Sequence, residues 1–204
     1  MPRLTQEFQE EIKQRLVQIY PNPTPIKTEW RAITNIRGLY SPRIDVAVGP
    51  FSTIRGGNCI EEYDHLMDLS RRFVEQLLLC HRQNVTAYRI LDAQRNEVLE
   101  FCNFQELRTF NGNARCLLAI EIEHEVSRKH LLGGAVNAAA LGRLGIVIGW
   151  TEEKVRALVR LQAYWDFLRS VGKNTFETKN LLILSPVQFR QAIERFRDQA
   201  ASET

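Results

Sequence analysis

Apolar residues along the chain recur with two periods, one typical of helices and the other of strands. The helical period comes first, at five positions near the amino terminus: Leu4, Phe8, Ile12, Leu16 and Ile19. It predicts an amphipathic helix over residues 5–20, which the segment PNPTP then ends. The alternation in RIDVAV predicts a strand at 43–48, with Asp45 on the face opposite its branched residues.

The middle of the chain predicts one long helix followed by three strands. Asn58 and Glu61 form a capping-box pattern, so a helix is expected over 59–82. The segments VTAYRI and EVLEF, separated by LDAQRN, predict a β-hairpin. The apolar run CLLAIEIE then predicts a central strand that is covered on both faces.

The last third of the chain alternates between helix and strand. Ser127 is positioned to cap a helix over 128–142, and GIVIGW predicts another buried strand. A helix over 151–173 that is capped by Thr151, the strand LLILS and a final helix complete the chain. This order predicts an α/β fold with a mixed central β-sheet flanked by helices. We expect one domain over residues 1–204, with a helix and Pro-rich turn at 1–25 and a C-terminal helix at 185–204.

Composition adds little beyond this. Hydrophobic residues make up 44% and charged residues 25% of the chain, as in ordinary soluble globular proteins. The net charge of +3 is too small to require a nucleic-acid partner by itself. The four cysteines form no CxxC pair, so neither a zinc site nor a disulfide framework is indicated. No apolar run reaches the roughly 18 residues that span a bilayer, so we expect a cytoplasmic protein without membrane segments.

The candidate chemistry lies in three carboxylates at alternate positions after the apolar run: Glu121, Glu123 and Glu125. Side chains two residues apart on a strand share a face, and Asp45 on a neighbouring strand is the candidate to join them. Grouped carboxylates repel one another unless they keep protons or hold a cation, and Mg²⁺ suits an all-oxygen site. The alternative is a solvated strand end whose acids pair with Arg115, Arg128 or Lys129.

The arrangement of these segments resembles that of the PD-(D/E)xK nuclease superfamily, which has the restriction-endonuclease-like fold. The likeness runs over roughly residues 40–185, from SPRIDVAV through the helix with Glu62 and AIEIE to GIVIGW. It implies a Mg²⁺-dependent DNA endonuclease, with Mn²⁺ as a possible substitute. By this resemblance, Asp45 and Glu121 would be metal ligands, Glu123 or Lys129 would orient or deprotonate the water, and Glu62 would assist through water.

Two features depart from the family pattern. The family's lysine position is taken by Glu123, giving ExE in place of ExK, a variant that a minority of restriction enzymes carry. The motif acid is also open between Asp45 and Asp92, and we prefer Asp45 because it lies between a turn and a short strand. The missing lysine makes a second function credible, a non-catalytic nucleic-acid-binding or protein-interaction module with the same fold.

Several basic residues are candidates to contact nucleic acid, most simply double-stranded DNA. Arg128, Lys129 and His130 begin a helix whose amino-terminal amides favour a phosphate, and Arg43 belongs to a locally basic stretch. The alternative is that the basic residues of the helix neutralise the nearby glutamates. Because cutting both strands usually needs two active sites, a symmetric homodimer is expected.

Overall fold

Five strands form one mixed sheet at the centre of the protein, in the spatial order β1-β2-β3-β4-β5. Their bounds are β1 (Ile26–Arg31), β2 (Arg43–Val48), β3 (Cys116–Glu123), β4 (Gly142–Gly149) and β5 (Leu181–Leu184). The computed structural model describes residues 2–32, 41–52, 59–89, 99, 101–124, 128–173 and 177–202. Within these ranges the protein is an α/β structure whose sheet is flanked by helices, as the sequence pattern predicts.

The two halves of the sheet differ in how their strands pair. β1, β2 and β3 pair antiparallel, whereas β3, β4 and β5 pair parallel. Every residue of β3 and β4 is buried, because helices cover both faces of these strands. This burial explains their near-continuous apolar runs.

Seven helices are described, with the bounds α1 (Pro2–Leu16), α2 (Ile60–Leu69), α3 (Arg71–Tyr88), α4 (Phe104–Leu107), α5 (Arg128–Leu141), α6 (Glu152–Ser170) and α7 (Pro186–Ser202). Apolar side chains of α1, α2, α3 and α7 form a core on one face of the sheet. Side chains of α5 and α6 form a second core on the other face. The sheet is therefore the middle of three layers.

Helix α5 lies unusually close to the sheet and runs directly into β4. Ala138 and Ala139 pack against Gly145, where a β-carbon would lie 2.7 Å from the backbone carbon of Ala138. The side-chain amides of Asn111 and Asn180 both donate to the carbonyl oxygens of Ala139 and Gly142. These bonds satisfy carbonyl groups that the end of a helix leaves without partners.

The outer edge of β5 is paired with side chains of α3. The amide N–H of Ile183 donates to Nδ1 of His81 at 3.0 Å, and its carbonyl oxygen accepts from Nδ2 of Asn84 at 2.9 Å. The two side chains stand three residues apart on one face of α3, so they take the place of a further strand. This pairing protects an edge that would otherwise be open to association.

Most of the predicted elements are confirmed, and the predicted hairpin is wrong. The strands at 43–48, CLLAIEIE, GIVIGW and LLILS are present, as are the helices near both termini and after residues 127 and 151. Residues 85–88 of the predicted hairpin instead belong to α3, and most of the rest lies outside the described residues. Strand β1 and helix α4 were not predicted.

The predicted helix over 59–82 is two helices, which meet at Ser70. The Ser70 hydroxyl donates to the Leu66 carbonyl at 2.8 Å and accepts from the Tyr20 hydroxyl at 2.9 Å. Cys59 occupies the cap of α2 without a side-chain hydrogen bond, and Asn58 lies outside the described residues. The break follows from a buried polar contact that helical periodicity does not reveal.

The four cysteines are free, with Cys80 and Cys116 buried and Cys59 and Cys102 partly buried. None of the helices in the described ranges is long and apolar enough to cross a membrane.

Replacing Gly145 with Ala is expected to destabilise the protein, because the new methyl group would force α5 away from the sheet. Overpacking of this kind costs roughly 1–3 kcal/mol. Urea unfolding monitored by circular dichroism would measure the change in the free energy of unfolding. Gly112→Ala is the control, since nothing lies within 4 Å of a β-carbon at that position. Equal stability of the two variants would contradict the close packing of α5.

Candidate carboxylate site

Asp45 and Glu121 meet where β2 and β3 lie side by side. The register pairs Val46 with Ile120, so the next position along places Asp45 opposite Glu121. Oδ2 of Asp45 accepts a hydrogen bond of 2.7 Å from the backbone N–H of Ile122. The Asp45 side chain thus takes a backbone donor of β3, and its carboxyl group lies within hydrogen-bonding reach of Glu121. The structure brings together the two acids that were predicted to act as a pair.

A third acid, Glu29 of β1, continues this row across the sheet. The register passes from Thr28 opposite Val46 to Trp30 opposite Ile44, which brackets Glu29 and Asp45. Glu29 has a φ of 52°, in the left-handed region that costs free energy for a residue with a side chain. Its carboxylate also forms an ion pair with Arg43. Glu29, Asp45 and Glu121 therefore stand on three adjacent strands.

Gln9 of α1 forms hydrogen bonds with two of these acids. Its Nε2 donates to Oδ1 of Asp45 at 2.8 Å and to Oε1 of Glu29 at 3.0 Å. The side chain is buried, with 3% of its surface exposed. The sequence indicates only that Gln9 faces the core, because it stands three and seven residues before Ile12 and Leu16 on α1, and it does not indicate the two acids that Gln9 contacts.

Burial dominates the electrostatics of the pair. Loss of hydration and the charge of Glu29 together raise the pKa of Asp45 to about 6, although the hydrogen bond from the Ile122 N–H lowers it. Burial and the charges of Asp45 and Glu123 raise the pKa of Glu121 well above its usual range. Oε1 of Glu121 is buried and has no hydrogen-bond partner within the described residues. An unpartnered buried carboxyl oxygen is costly unless a proton or a cation reaches it.

Glu123 lies on the same side of β3 as Glu121, beneath α5. Its Oε1 fills the space beside Gly134, where a β-carbon would collide with it. Only 8% of the Glu123 surface is exposed, so this acid is not part of a solvated strand end. Arg115, one of its predicted alternative partners, precedes the opposite end of β3 and donates to Oγ of Ser52.

Glu62 is not brought to the carboxylate pair. It is exposed on α2, whose buried residues are Tyr63, Leu66 and Met67. The Tyr63 hydroxyl donates to the carbonyl of Pro50, which holds the first turn of α2 beyond the far end of β2. The prediction that Glu62 assists the pair is therefore not supported, because α2 turns the predicted side outward.

The predicted basic residues are only partly described. Arg43 is exposed at the start of β2, and His130 is exposed in the first turn of α5. The backbones of Arg128 and Lys129 belong to α5, but their side chains lie outside the described part of the protein. Asp92 and Glu125 also lie outside it. Of the two candidates for the motif acid, Asp45 and Asp92, only Asp45 is therefore described in its surroundings.

Lys154 is a buried cation near the carboxyl end of β3 that the sequence did not single out. Only 9% of its surface is exposed, in the first turn of α6. Burial and the charge of Lys154 lower the pKa of His124, which follows Glu123 and stacks on Trp150 with ring centres 3.8 Å apart. A predicted cap of this helix is confirmed, since Thr151 accepts from the backbone N–H of Lys154.

The described side chains offer an incomplete set of metal ligands. Within the described ranges, no group of three or more His, Cys, Asp and Glu residues is arranged to hold a metal ion. Asp45 and Glu121 provide an all-oxygen pair, and the unpartnered Oε1 of Glu121 is one coordinating atom that nothing else uses. Mg²⁺ binds through one or two carboxylates and fills its other positions with water and phosphate, so the pair fits this cation.

Comparison with protein families, with characterised proteins and with solved structures gave no significant match.

The raised pKa values predict a specific dependence of stability on pH. Between about pH 4 and 6 the folded protein keeps a proton on Asp45 that the unfolded chain has released, so this group's contribution to stability falls as the pH rises. Glu121→Gln removes the repulsion between the two acids. We expect it to raise the free energy of unfolding at pH 7.5 by on the order of 1–3 kcal/mol.

Urea unfolding at several pH values between 4 and 8 would measure this effect. The gain from Glu121→Gln should be largest at high pH and shrink towards pH 4. Glu61→Gln, on the exposed side of α2, is the control and should leave the profile of the parent unchanged. A loss of stability in Glu121→Gln at pH 7.5 would contradict the burial of repelling carboxyl groups.

Proposed function

We propose that this chain is a Mg²⁺-dependent endonuclease that hydrolyses phosphodiester bonds of DNA. The observation that carries the proposal is the pair of the partly buried Asp45 and the buried Glu121, with the unpartnered carboxyl oxygen of Glu121. Acids grouped in a buried place lower stability, and a cation relieves that cost. The order of elements also supports a restriction-endonuclease-like arrangement, because an antiparallel β1-β2-β3 unit is followed by α5 and the parallel strand β4.

In this proposal Asp45 and Glu121 hold the cation, with Mn²⁺ as a possible substitute. A bound Mg²⁺ polarises the phosphate and makes water a better nucleophile. Gln9 and the Ile122 N–H each bond one oxygen of Asp45, which fixes the carboxylate while leaving lone pairs on both atoms. Glu29 adds negative charge beside the pair and is itself held by Gln9 and Arg43.

Glu123 is proposed to orient the water and accept its proton. A carboxylate can take a proton, but it cannot supply the positive charge that a lysine would offer a phosphate. Lys129 and Lys154 are the candidates to supply that charge, the first from α5 and the second from the buried first turn of α6.

Double-stranded DNA is the proposed substrate. Arg43 and His130 are exposed near the site, and Arg128 and Lys129 begin α5, whose amino-terminal amides favour a phosphate. Contacts of this kind would position the backbone without reading the sequence. Cutting of both strands usually needs two active sites, which a symmetric homodimer would supply.

A second function is a non-catalytic nucleic-acid-binding or protein-interaction module with the same fold. Two observations favour it: position 123 is Glu where the nuclease motif has Lys, and the described residues contain no complete ligand set. Such a module would bind DNA without a metal and release no product.

Addition of millimolar Mg²⁺ or Mn²⁺ is expected to raise the melting temperature of the parent, because the cation binds the folded carboxylate pair and not the unfolded chain. Glu121→Gln should lose the rise. Plasmid DNA incubated under the same conditions should be cut by the parent and left intact by Glu121→Gln. Glu61→Gln should behave as the parent in both assays.

The two assays separate the two functions. A metal-dependent melting shift with no DNA cleavage would reject the endonuclease proposal and leave a metal-binding module. Binding of DNA that needs no metal, together with an absent melting shift, would favour the non-catalytic module. Cleavage by Glu121→Gln at the parent's rate would contradict the assigned role of Glu121.

Two neighbouring glycines of α5 test the role of Glu123. Gly134→Ala would push the Glu123 carboxylate from its position, whereas Gly133→Ala would add a methyl group where nothing lies within 4 Å. Both changes favour the helix by roughly 0.5–1 kcal/mol. We expect Gly134→Ala to remain folded and to lower the rate of DNA cleavage at least tenfold. The rate should fall because a displaced carboxylate no longer contributes as a proton-transfer group.

Gly133→Ala should cut DNA at the parent's rate and melt slightly higher. Parent-like cleavage by a folded Gly134→Ala would show that the placement of Glu123 is irrelevant to the reaction.

A further inference from the structure

A cavity of about 380 Å³ lies at the other edge of the sheet, between α3, α6, residue 99 and residues 101–110. Six of its lining residues are apolar: Leu78, Val85, Leu99, Phe101, Phe110 and Leu182. Leu182 of β5 is level with Ile146 of β4 and with Ile120 of β3, one residue from Glu121. The cavity beside β5 and the Asp45–Glu121 pair on β2 and β3 are therefore separated across the sheet by β4.

The rest of the lining is rich in positive charge. Arg82, Arg89, Arg169 and Lys179 line the cavity together with two acids, Glu106 and Asp166. Asp166 pairs with Arg89 at 2.6 Å and with Arg169 at 3.4 Å, and Glu177 also pairs with Arg169. These ion pairs account for two of the four cations.

The other two cations have no acidic partner within hydrogen-bonding distance in the described ranges. Arg82 donates to the neutral carbonyl of Cys102 at 2.7 Å, and its buried Nε has no acceptor among the described residues. Lys179 is exposed at the rim, and the described residues provide no acceptor for its ammonium group. The cavity therefore carries positive charge that the surrounding protein does not fully neutralise.

His81 adds a directed donor to this cavity. The side chain is more than nine-tenths buried, and its Nδ1 accepts the Ile183 N–H at 3.0 Å. Burial lowers the pKa of His81 to about 4, so the ring is neutral and carries its proton on Nε2. Nε2 has no partner in the described part of the chain, although the ring lines the cavity. A ligand atom that accepts a hydrogen bond is the natural partner for this group.

We propose that this cavity binds a nucleoside monophosphate, with the phosphate at Arg82 and Lys179 and the base among the apolar side chains. The volume lies within the range of about 300–1,000 Å³ that is usual for small-molecule sites. Phe101 and Phe110 offer aromatic surface for a planar ring, and His81 offers an N–H to a base or sugar oxygen. The site is separate from the carboxylate pair, and neither proposal depends on the other.

Isothermal titration calorimetry with adenosine and uridine 5′-monophosphates would test the proposal, in buffer with EDTA to silence the carboxylate pair. At least one nucleotide should bind the parent with one-to-one stoichiometry. Adenosine and inorganic phosphate should each bind at least roughly tenfold more weakly, because each lacks half of the recognised groups. Arg82→Gln and Lys179→Gln should each weaken nucleotide binding roughly tenfold or more.

Lys13→Gln makes the same charge change outside the cavity and should bind as the parent does. Lys179 is exposed, so Lys179→Gln keeps the test decisive even if Arg82→Gln melts at a lower temperature. Absence of detectable binding by both nucleotides at about 5 mM would overturn the proposal. Binding that Lys179→Gln and Arg82→Gln leave unchanged would overturn it as well.

Discussion

The burial of β3 along its whole length is the constraint on which the rest of the structure depends. Helices cover both faces of this strand, and its neighbours pair with both of its edges. Any ionisable side chain on β3 must therefore lose water when the chain folds. Glu121 and Glu123 are the two acids of β3, and the groups around them offset part of the free-energy cost of losing this water.

The groups around these acids each offset part of the free-energy cost of burying them. Gln9 and the Ile122 N–H neutralise some of the charge at Asp45, while Gly134 makes space for the carboxylate of Glu123. The raised pKa values of Asp45 and Glu121 show that part of the free-energy cost of burying their charged forms remains. Apolar residues of similar size at these positions would give a more stable sheet, so a purely structural role does not account for the acids. A cation that binds between them would account for both the burial and the unpartnered oxygen of Glu121.

The main elements could be predicted because they depend on local patterns. Alternation in RIDVAV, the apolar run of β3 and the cap at Thr151 each specify their element within a few neighbouring residues. Asp45 and Glu121 could be proposed as partners because both stand on predicted strands. Glu29 and Gln9 could not, because their roles depend on a left-handed residue in β1 and on how α1 crosses the sheet. The false hairpin has a similar cause, since Val85 and Thr86 of VTAYRI belong to the last turns of α3.

The groups on the two sides of β4 differ in charge. Glu121 and Glu123 lie on β3, whereas the cavity beside β5 is lined with four cations and two acids. His81 links the cavity to the sheet, because the same imidazole accepts the Ile183 N–H of β5 and lines the cavity. A ligand bound there would contact α3, the helix that protects this edge. Occupancy of the cavity should therefore affect the stability of β5 more directly than the geometry of the carboxylates on β3.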